Sequence, residues 1–165
     1  MIKNYHDYFE ELATKLLAIA HNPLTHNRFA RLEYREDTIL YQTSLDIDNF
    51  CMILGLPEFR VGDKLSDNVH EYQSVEMYIV KNCKPDDFVA IRQAQQAAKI
   101  IAYQIIAKIY KDKTNGIIGG FDRNTITGEY CENVPTANEY GIMLAFTLHH
   151  SINKEIYYRP NEWTV

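Results

Sequence analysis

Apolar residues recur at helical spacing in two stretches of the chain, and the first lies near its start. Residues 4–23 place apolar side chains at steps of three and four, on Tyr5, Phe9, Leu12, Leu16 and Ile19. This spacing predicts an amphipathic helix that buries one face. Asn4 can cap its first turn, and we expect Pro23 to end it.

The second stretch, residues 86–113, predicts the longest helix of the chain. Asp86 or Asp87 can cap it, and both carboxylates favour the positive end of its dipole. At about 100° of rotation per residue, seven apolar side chains fall on one face: Ile91, Ala94, Ala98, Ile101, Ala102, Ile105 and Ile109. Because alanine is small, this face can lie close against a sheet.

A weaker apolar strip runs along the far side of the same helix. It consists of Val89, Ile100, Tyr103 and Ala107, which lie among Gln93, Gln96 and Gln104. A helix on the surface of a monomer needs only one apolar face. The extra strip therefore indicates a partner chain, and we predict that Ile100 and Tyr103 lie at a subunit interface.

Other stretches have the patterns of strands. They are residues 28–36, the apolar run 49–59 that Pro57 stops, residues 71–82, the glycine-interrupted residues 115–134, and residues 140–151. Val75, Met77 and Ile79 share one face of the third strand, and the last strand is apolar on both faces, which is typical of a central position. Residues 60–70 resemble a polar turn, and residues 37–47 fit a helix or a strand equally well.

This order of elements predicts the α+β fold class. We expect one domain over residues 1–150, with an antiparallel-rich sheet and with the N-terminal helix and the long helix packed on one face. Residues 151–165 then form a C-terminal extension with three large aromatic residues, Tyr157, Tyr158 and Trp163. Because Tyr and Trp often anchor interfaces, we predict that this tail docks on a neighbouring subunit. The alternative is that the tail folds back on its own domain.

Composition narrows the class of protein. The 165 residues carry a formal net charge of −5 and no run of lysine or arginine, which does not fit a protein that binds nucleic acid directly. The cysteines Cys51, Cys83 and Cys131 are widely spaced, which favours free thiols in a reducing compartment. No apolar run approaches the roughly 20 residues that a membrane span needs. We expect neither a cofactor nor membrane association.

The two adjacent histidines at the end of the last predicted strand are the first candidates for chemistry. His149 and His150 are neighbours in a strand, so their side chains point to opposite faces. They cannot both bind one metal ion from an undistorted strand. We therefore predict that they are not a metal site.

Two further pairs of polar residues lack the neighbouring residues that a metal site needs. His21 and His26 are five apart around a proline, unlike the i, i+4 pair with a glutamate of a zinc-binding helix. Asp46 and Asp48 would lie on one side of a strand and could hold Mg²⁺, usually with a substrate phosphate. No phosphate-binding loop accompanies them. These residues favour a chain without catalytic residues.

The order of elements resembles that of the tail-terminator and tail-to-head joining proteins of bacteriophages. The closest points are the strand-to-helix joint "VEMYIVKN…DDF" and the strand "YGIMLAFTL", and the pattern runs from about residue 4 to residue 150. The resemblance implies an α+β subunit that forms a ring, often a hexamer, at the neck of the virion. It implies that DNA passes through the ring without being read, and that the subunit has no catalytic residues.

Three functions therefore stand as hypotheses. The first is a structural virion or prophage component, assembled in the bacterial cytoplasm, that contacts copies of itself and other tail or neck proteins. The second is a small protein-binding module of the adaptor or immunity type. The third is a metal-dependent hydrolase that uses Asp46, Asp48 or the histidines. The mass of the protein in solution and its metal content distinguish the three.

Overall fold

A computed structural model of the chain describes residues 5–32, 44–56, 58–63, 68–133 and 138–153. Within these ranges the elements are α1 (Tyr5–Lys15), β1 (Phe29–Arg31), β2 (Cys51–Leu54), β3 (Glu58–Asp63), β4 (Val69–Asn82), α2 (Phe88–Thr114), β5 (Gly120–Glu132) and β6 (Glu139–Ser151). The fold is α+β, as predicted. Neither described helix is both long enough and apolar enough to cross a membrane.

The six strands form one mixed sheet in which most neighbours are antiparallel. The strand order is β1-β2-β4-β6-β5, and β3 pairs with the first part of β4 on the same side as β2. Only the short β1–β2 pair is parallel among these strands. β6 lies between β4 and β5, which confirms its predicted central position. β5 is an edge strand with an irregularity between Asp122 and Thr127, as its glycine-interrupted sequence predicts.

The main core lies between one face of the sheet and the two helices. The predicted apolar face of α2 is buried at every one of its seven positions: Ile91, Ala94, Ala98, Ile101, Ala102, Ile105 and Ile109. Phe9 of α1 contacts the same core, together with Met77 of β4 and Phe146 of β6. The predicted packing of both helices on one face is confirmed.

A smaller core lies on the opposite face of the sheet, at the end where β1 and β2 pair. Ile53 and Val80 face the turn at residues 44–50, which contributes Leu45. Asp46 and Asp48 belong to this turn and not to a strand, so the prediction that they share one side of a strand is wrong. The turn is held by the Arg28 guanidinium, whose Nε donates a hydrogen bond of 2.9 Å to Asp46 Oδ2.

The predicted polar turn at residues 60–70 is wrong over most of its described length. β3 occupies Glu58–Asp63, and β4 already begins at Val69. The six residues of β3 pair with β4 from Ser74 to Val69. Backbone pairing holds this strand, whereas burial does not, because the side chain of Phe59 is 71% exposed.

α1 ends earlier than its apolar periodicity predicts. The helix stops at Lys15, and Pro23 lies well beyond it. Leu16 still accepts a hydrogen bond of 2.7 Å from the Ala20 backbone N–H, but Ala20 has a φ of +49°, which no regular helix allows. Pro23 therefore does not terminate the helix. The predicted cap Asn4 lies outside the described residues.

Candidate functional site

The long helix α2 is fixed firmly on the sheet, so that its outer side is a well-defined surface. Asp87 is the N-cap, and its carboxylate accepts a hydrogen bond of 2.9 Å from the Ala90 backbone N–H. This settles the choice between Asp86 and Asp87. At the other end, the Lys113 ammonium donates a hydrogen bond of 3.1 Å to the Phe121 carbonyl of β5.

The outer strip of α2 points directly away from the sheet. We define it as the exposed residues Val89, Gln93, Gln96, Ile100, Tyr103 and Ala107. Their alternating steps of four and three keep them in one row about 180° from the buried face, and they span about 27 Å. Val89 is 68% exposed, Ile100 60% and Tyr103 58%. Sequence projection predicted these exposed apolar positions, and their role at an interface stays a prediction.

An aromatic residue of β5 extends the strip sideways. Tyr130 is 53% exposed. The Lys99 ammonium lies 5.9 Å from the ring centroids of both Tyr103 and Tyr130, within the range of a cation–π contact. The two rings and the lysine thus form one continuous patch. Sequence reasoning missed Tyr130, because the side of an irregular edge strand that faces a helix is not evident from its pattern.

The helix α2 is also basic. The helix contains Arg92, Lys99, Lys108, Lys111 and Lys113, and its only acid, Asp112, is 3% exposed. Five basic residues and one acid give α2 a net charge of +4, and since the whole chain carries −5, all other residues together carry −9. The helix is a cationic and partly apolar ridge on an acidic protein.

A second exposed apolar surface lies on the edge strand β3. Phe59 and Val61 of β3 are 71% and 54% exposed. They pair with Gln73 and Glu71 of β4, so these four side chains share the face of the sheet on which the helices pack. We call these four residues the β3 patch. The guanidinium of Arg60, the neighbouring basic residue, lies on the other face, 5.1 Å from the ring centroid of Tyr72.

A groove of about 360 Å³ separates α1 from α2. Its floor includes Leu12 and Ile105, and at one end the buried Asp112 carboxylate accepts hydrogen bonds from the Tyr8 hydroxyl, at 2.9 Å, and from the Lys108 ammonium. Burial raises the pKa of the Tyr8 phenol, and the Asp112 carboxylate raises it further, so the phenol stays protonated and donates. These polar groups satisfy one another, which is typical of a structural contact.

The adjacent histidines lie on opposite faces of β6, as predicted. His150 contacts α1, with its Nδ1 3.3 Å from the Tyr5 hydroxyl. His149 lies on the other face, where its ring centroid is 5.6 Å from that of His70. Its imidazole covers Gly120, where a Cβ would come within 2.1 Å of the ring. The two side chains therefore cannot meet at one metal ion.

Two of the remaining candidate ligands, His21 and Asp46, serve the packing of the chain. The Nδ1 of the buried His21 accepts a hydrogen bond of 3.1 Å from the Arg28 backbone N–H, and burial lowers the pKa of this histidine. The Asp46 carboxylate binds Arg28, which lowers the pKa of the acid. Within the described ranges, no three His, Cys, Asp or Glu side chains are grouped so that they could hold a metal ion.

All three cysteines are free and buried. Burial raises the pKa of Cys51 to about 12 and that of Cys131 to about 11. The thiolate is the reactive form of cysteine, and the Cys51 thiol therefore stays protonated at pH 8. We expect a thiol reagent to label the native protein far more slowly than the denatured protein. Rapid labelling of Cys51 without denaturant would contradict this packing.

The predicted tail is described only at its start. Ile152 is buried, and the Asn153 side chain accepts a hydrogen bond of 2.7 Å from the Val69 backbone N–H, so residues 151–153 pack with the domain. Tyr157, Tyr158 and Trp163 lie outside the described residues. Comparison of the chain with protein-family models, with curated proteins and with solved structures found no match.

Proposed function

We propose that this chain is a structural subunit that assembles with copies of itself into a ring, in the manner of a phage tail-terminator or neck protein. The observation that carries the proposal is the outer strip of α2. Apolar and aromatic side chains on a surface helix, turned away from the core of their own domain, mark an interaction site. Rigid attachment of α2 to the sheet favours a permanent contact, because the surface needs no ordering when it binds.

The resemblance of the element order supports the choice of a virion component. The subunits of a ring through which DNA passes must bind one another without binding the DNA. A net charge of −5 fits this requirement, because a protein binds the DNA backbone through positive charges. In this proposal the chain works in the tail or neck of a virion, after assembly in the host cytoplasm. Its partners are further copies and the adjoining tail or neck proteins.

Light scattering and electron microscopy of the purified chain test the proposal. We expect a single species of several times 19.2 kDa, about six times if the ring is the hexamer that the resemblance implies, and closed rings in stained images. A chain that stays monomeric at a concentration of about 100 µM would contradict the proposal, since a weaker contact is typical of a transient complex.

A small protein-binding module is the second candidate, and the groove between α1 and α2 favours it. Its volume of about 360 Å³ is in the range of ligand sites, and Leu12, Leu16 and Ile117 give it an apolar lining. This function predicts a monomer or a dimer. The mass measurement therefore distinguishes the two candidates directly.

A further inference from the structure

We infer that Trp163 of the C-terminal tail binds in the groove between α1 and α2 of its own subunit. This is the second of the two arrangements that the sequence leaves open for the tail, and it does not depend on the proposed self-assembly. The tail, residues 154–165, lies outside the described residues. Its apolar and aromatic side chains are Ile156, Tyr157, Tyr158, Trp163 and Val165.

The groove offers apolar surface, because its charged groups already pair with one another. The Lys15 ammonium contacts the Glu11 carboxylate, and the Lys108 ammonium contacts the Asp112 carboxylate. A charged ligand would have to break one of these pairs, whereas an aromatic side chain leaves both intact and gains from the burial of apolar surface. The apolar lining that it would contact consists of Leu12, Leu16, Ile105 and Ile117.

The size of the groove also fits a side chain of the tail. Its volume of about 360 Å³ lies near the lower end of the range for ligand sites, which is about 300–1,000 Å³. A groove of this size takes one or two large side chains and not a folded partner. An indole ring with part of the adjacent backbone is a suitable occupant.

The tail leaves the domain at the end of the sheet where the groove begins. The Nδ1 of His150 in β6 lies 3.3 Å from the hydroxyl of Tyr5, the first residue of α1. Asn153 follows His150 by three residues, about 10 Å of extended chain. Tyr8, which lines the groove, follows Tyr5 by nearly one turn, about 5 Å of helix. The start of the tail and this end of the groove are therefore close neighbours.

The tail is long enough to enter the groove. Trp163 follows Asn153 by ten residues, which span about 33–36 Å when extended. Tyr157 and Tyr158 follow Asn153 by only four and five residues, so they reach half as far or less. Trp163 is therefore the aromatic residue best placed to bind beside Ile117, whose backbone N–H donates a hydrogen bond of 2.9 Å to the Asp112 carbonyl at this end of the groove.

The inference gives the tail a function at the groove. Because tail and groove belong to one chain, their contact is intramolecular and benefits from a high effective concentration. A segment of another protein that uses the groove must first displace Trp163. The tail therefore limits access to the groove.

Tryptophan fluorescence tests the contact directly, because Trp163 is the only tryptophan of the chain. Excitation beyond the absorption of tyrosine isolates its signal. We expect the emission of the native full-length chain to be blue-shifted, and its quenching by acrylamide to be severalfold weaker, compared with the chain unfolded in urea. If Trp163 is quenched equally in both states, the inference is overturned, whatever the behaviour of any variant.

Ile117→Glu tests whether the groove is the surface that shields Trp163. Ile117 is 39% exposed, so we expect the variant to fold, which circular dichroism checks. The new carboxylate should disfavour the indole, so that the emission shifts to the red and quenching by acrylamide increases severalfold. The matched control is Leu17→Glu, the same kind of change at a residue that is 93% exposed and therefore lies outside the groove. Equal shielding of Trp163 in both variants would place the indole elsewhere and overturn the inference.

A mixture of two variants distinguishes the groove of the same subunit from that of a neighbour. Trp163→Ala has an intact groove and no tryptophan signal, whereas Ile117→Glu keeps its Trp163 but has an altered groove. We expect the emission of the equimolar mixture to remain that of Ile117→Glu alone. A return of the blue-shifted emission on mixing would mean that the tail binds a neighbouring copy, and the inference would be overturned.

The outcomes for the tail and for the ring are separate, because one is read from fluorescence and the other from mass. Rings in which Trp163 is as accessible as in the unfolded chain overturn this inference and leave the proposed function standing. A monomer in which Trp163 is shielded, and in which Ile117→Glu exposes it, supports this inference and contradicts the ring.

Discussion

Replacing Ile105 by alanine is expected to lower the free energy of unfolding by about 2–5 kcal/mol, the usual range for a buried isoleucine. Ile105 is fully buried in the middle of α2, between the helix and the sheet. The shortened side chain loses contacts and leaves a cavity that close-packed neighbours cannot fill. A loss of this size is a large part of the 5–15 kcal/mol that stabilises an ordinary domain.

Thermal and denaturant unfolding measure this effect. For a domain of this size the melting temperature falls by about 2–4 °C for each kcal/mol. The matched control is Gln96→Ala, which shortens an exposed side chain on the outer strip of the same helix. We expect the control to stay within about 0.5 kcal/mol of the unchanged chain. Equal effects of the two substitutions would mean that α2 presents the other face to the sheet.

α2 is the element that sequence reasoning predicts best, because many residues repeat the same signal. Seven apolar positions on one face, an acid at the N-cap and lysines near the end all agree, and the helix is long enough for one period to dominate. The same projection places Asp112 on the buried face, although sequence reasoning did not single it out. Its buried contact with the Tyr8 hydroxyl depends on α1, which lies far away in the chain.

β3 was not predicted because its sequence lacks the pattern of a buried strand. Phe59 and Val61 alternate with Glu58 and Arg60, which is the correct period, but Gly62 and the polar residues that follow indicate a turn. The strand exists because β4 continues beyond β2 and offers free backbone groups to a second partner. Such pairing depends on the length of a neighbouring strand, which local sequence does not reveal.

The error at α1 has a similar physical origin. Leu16 and Ile19 continue the apolar period, and both pack against the main core, so the period is real. They reach the core from a turn, however, and Leu17 between them is 93% exposed. A periodic pattern reports burial and not the backbone conformation that achieves it. The exposed apolar residues on β3 and β5 were not predicted for the same reason, since they follow no helical period.

Gly141→Ala is expected to be about as damaging as the loss of Ile105, for the opposite reason. Gly141 lies in the central strand β6 opposite Val80 of β4, and a Cβ there would come within 1.9 Å of the Ile79 carbonyl oxygen. Overpacking a core usually costs about 1–3 kcal/mol. Here the obstacle is backbone in the longest strand pair, which cannot rotate away as a side chain can, so we expect a cost at or above the upper end of that range.

The matched control is Gly128→Ala in the edge strand β5, where a Cβ would meet its nearest atoms at 3.5 and 3.7 Å, ordinary contact distances. This substitution mainly lowers the conformational entropy of the unfolded chain. It should therefore leave the free energy of unfolding unchanged or raise it by up to about 1 kcal/mol. Denaturant midpoints of the two variants measure the difference. If Gly141→Ala unfolds at the same midpoint as Gly128→Ala, then β4 and β6 do not approach as closely as the paired register requires. A low yield of folded Gly141→Ala beside normal Gly128→Ala agrees with a backbone clash at the centre of the sheet.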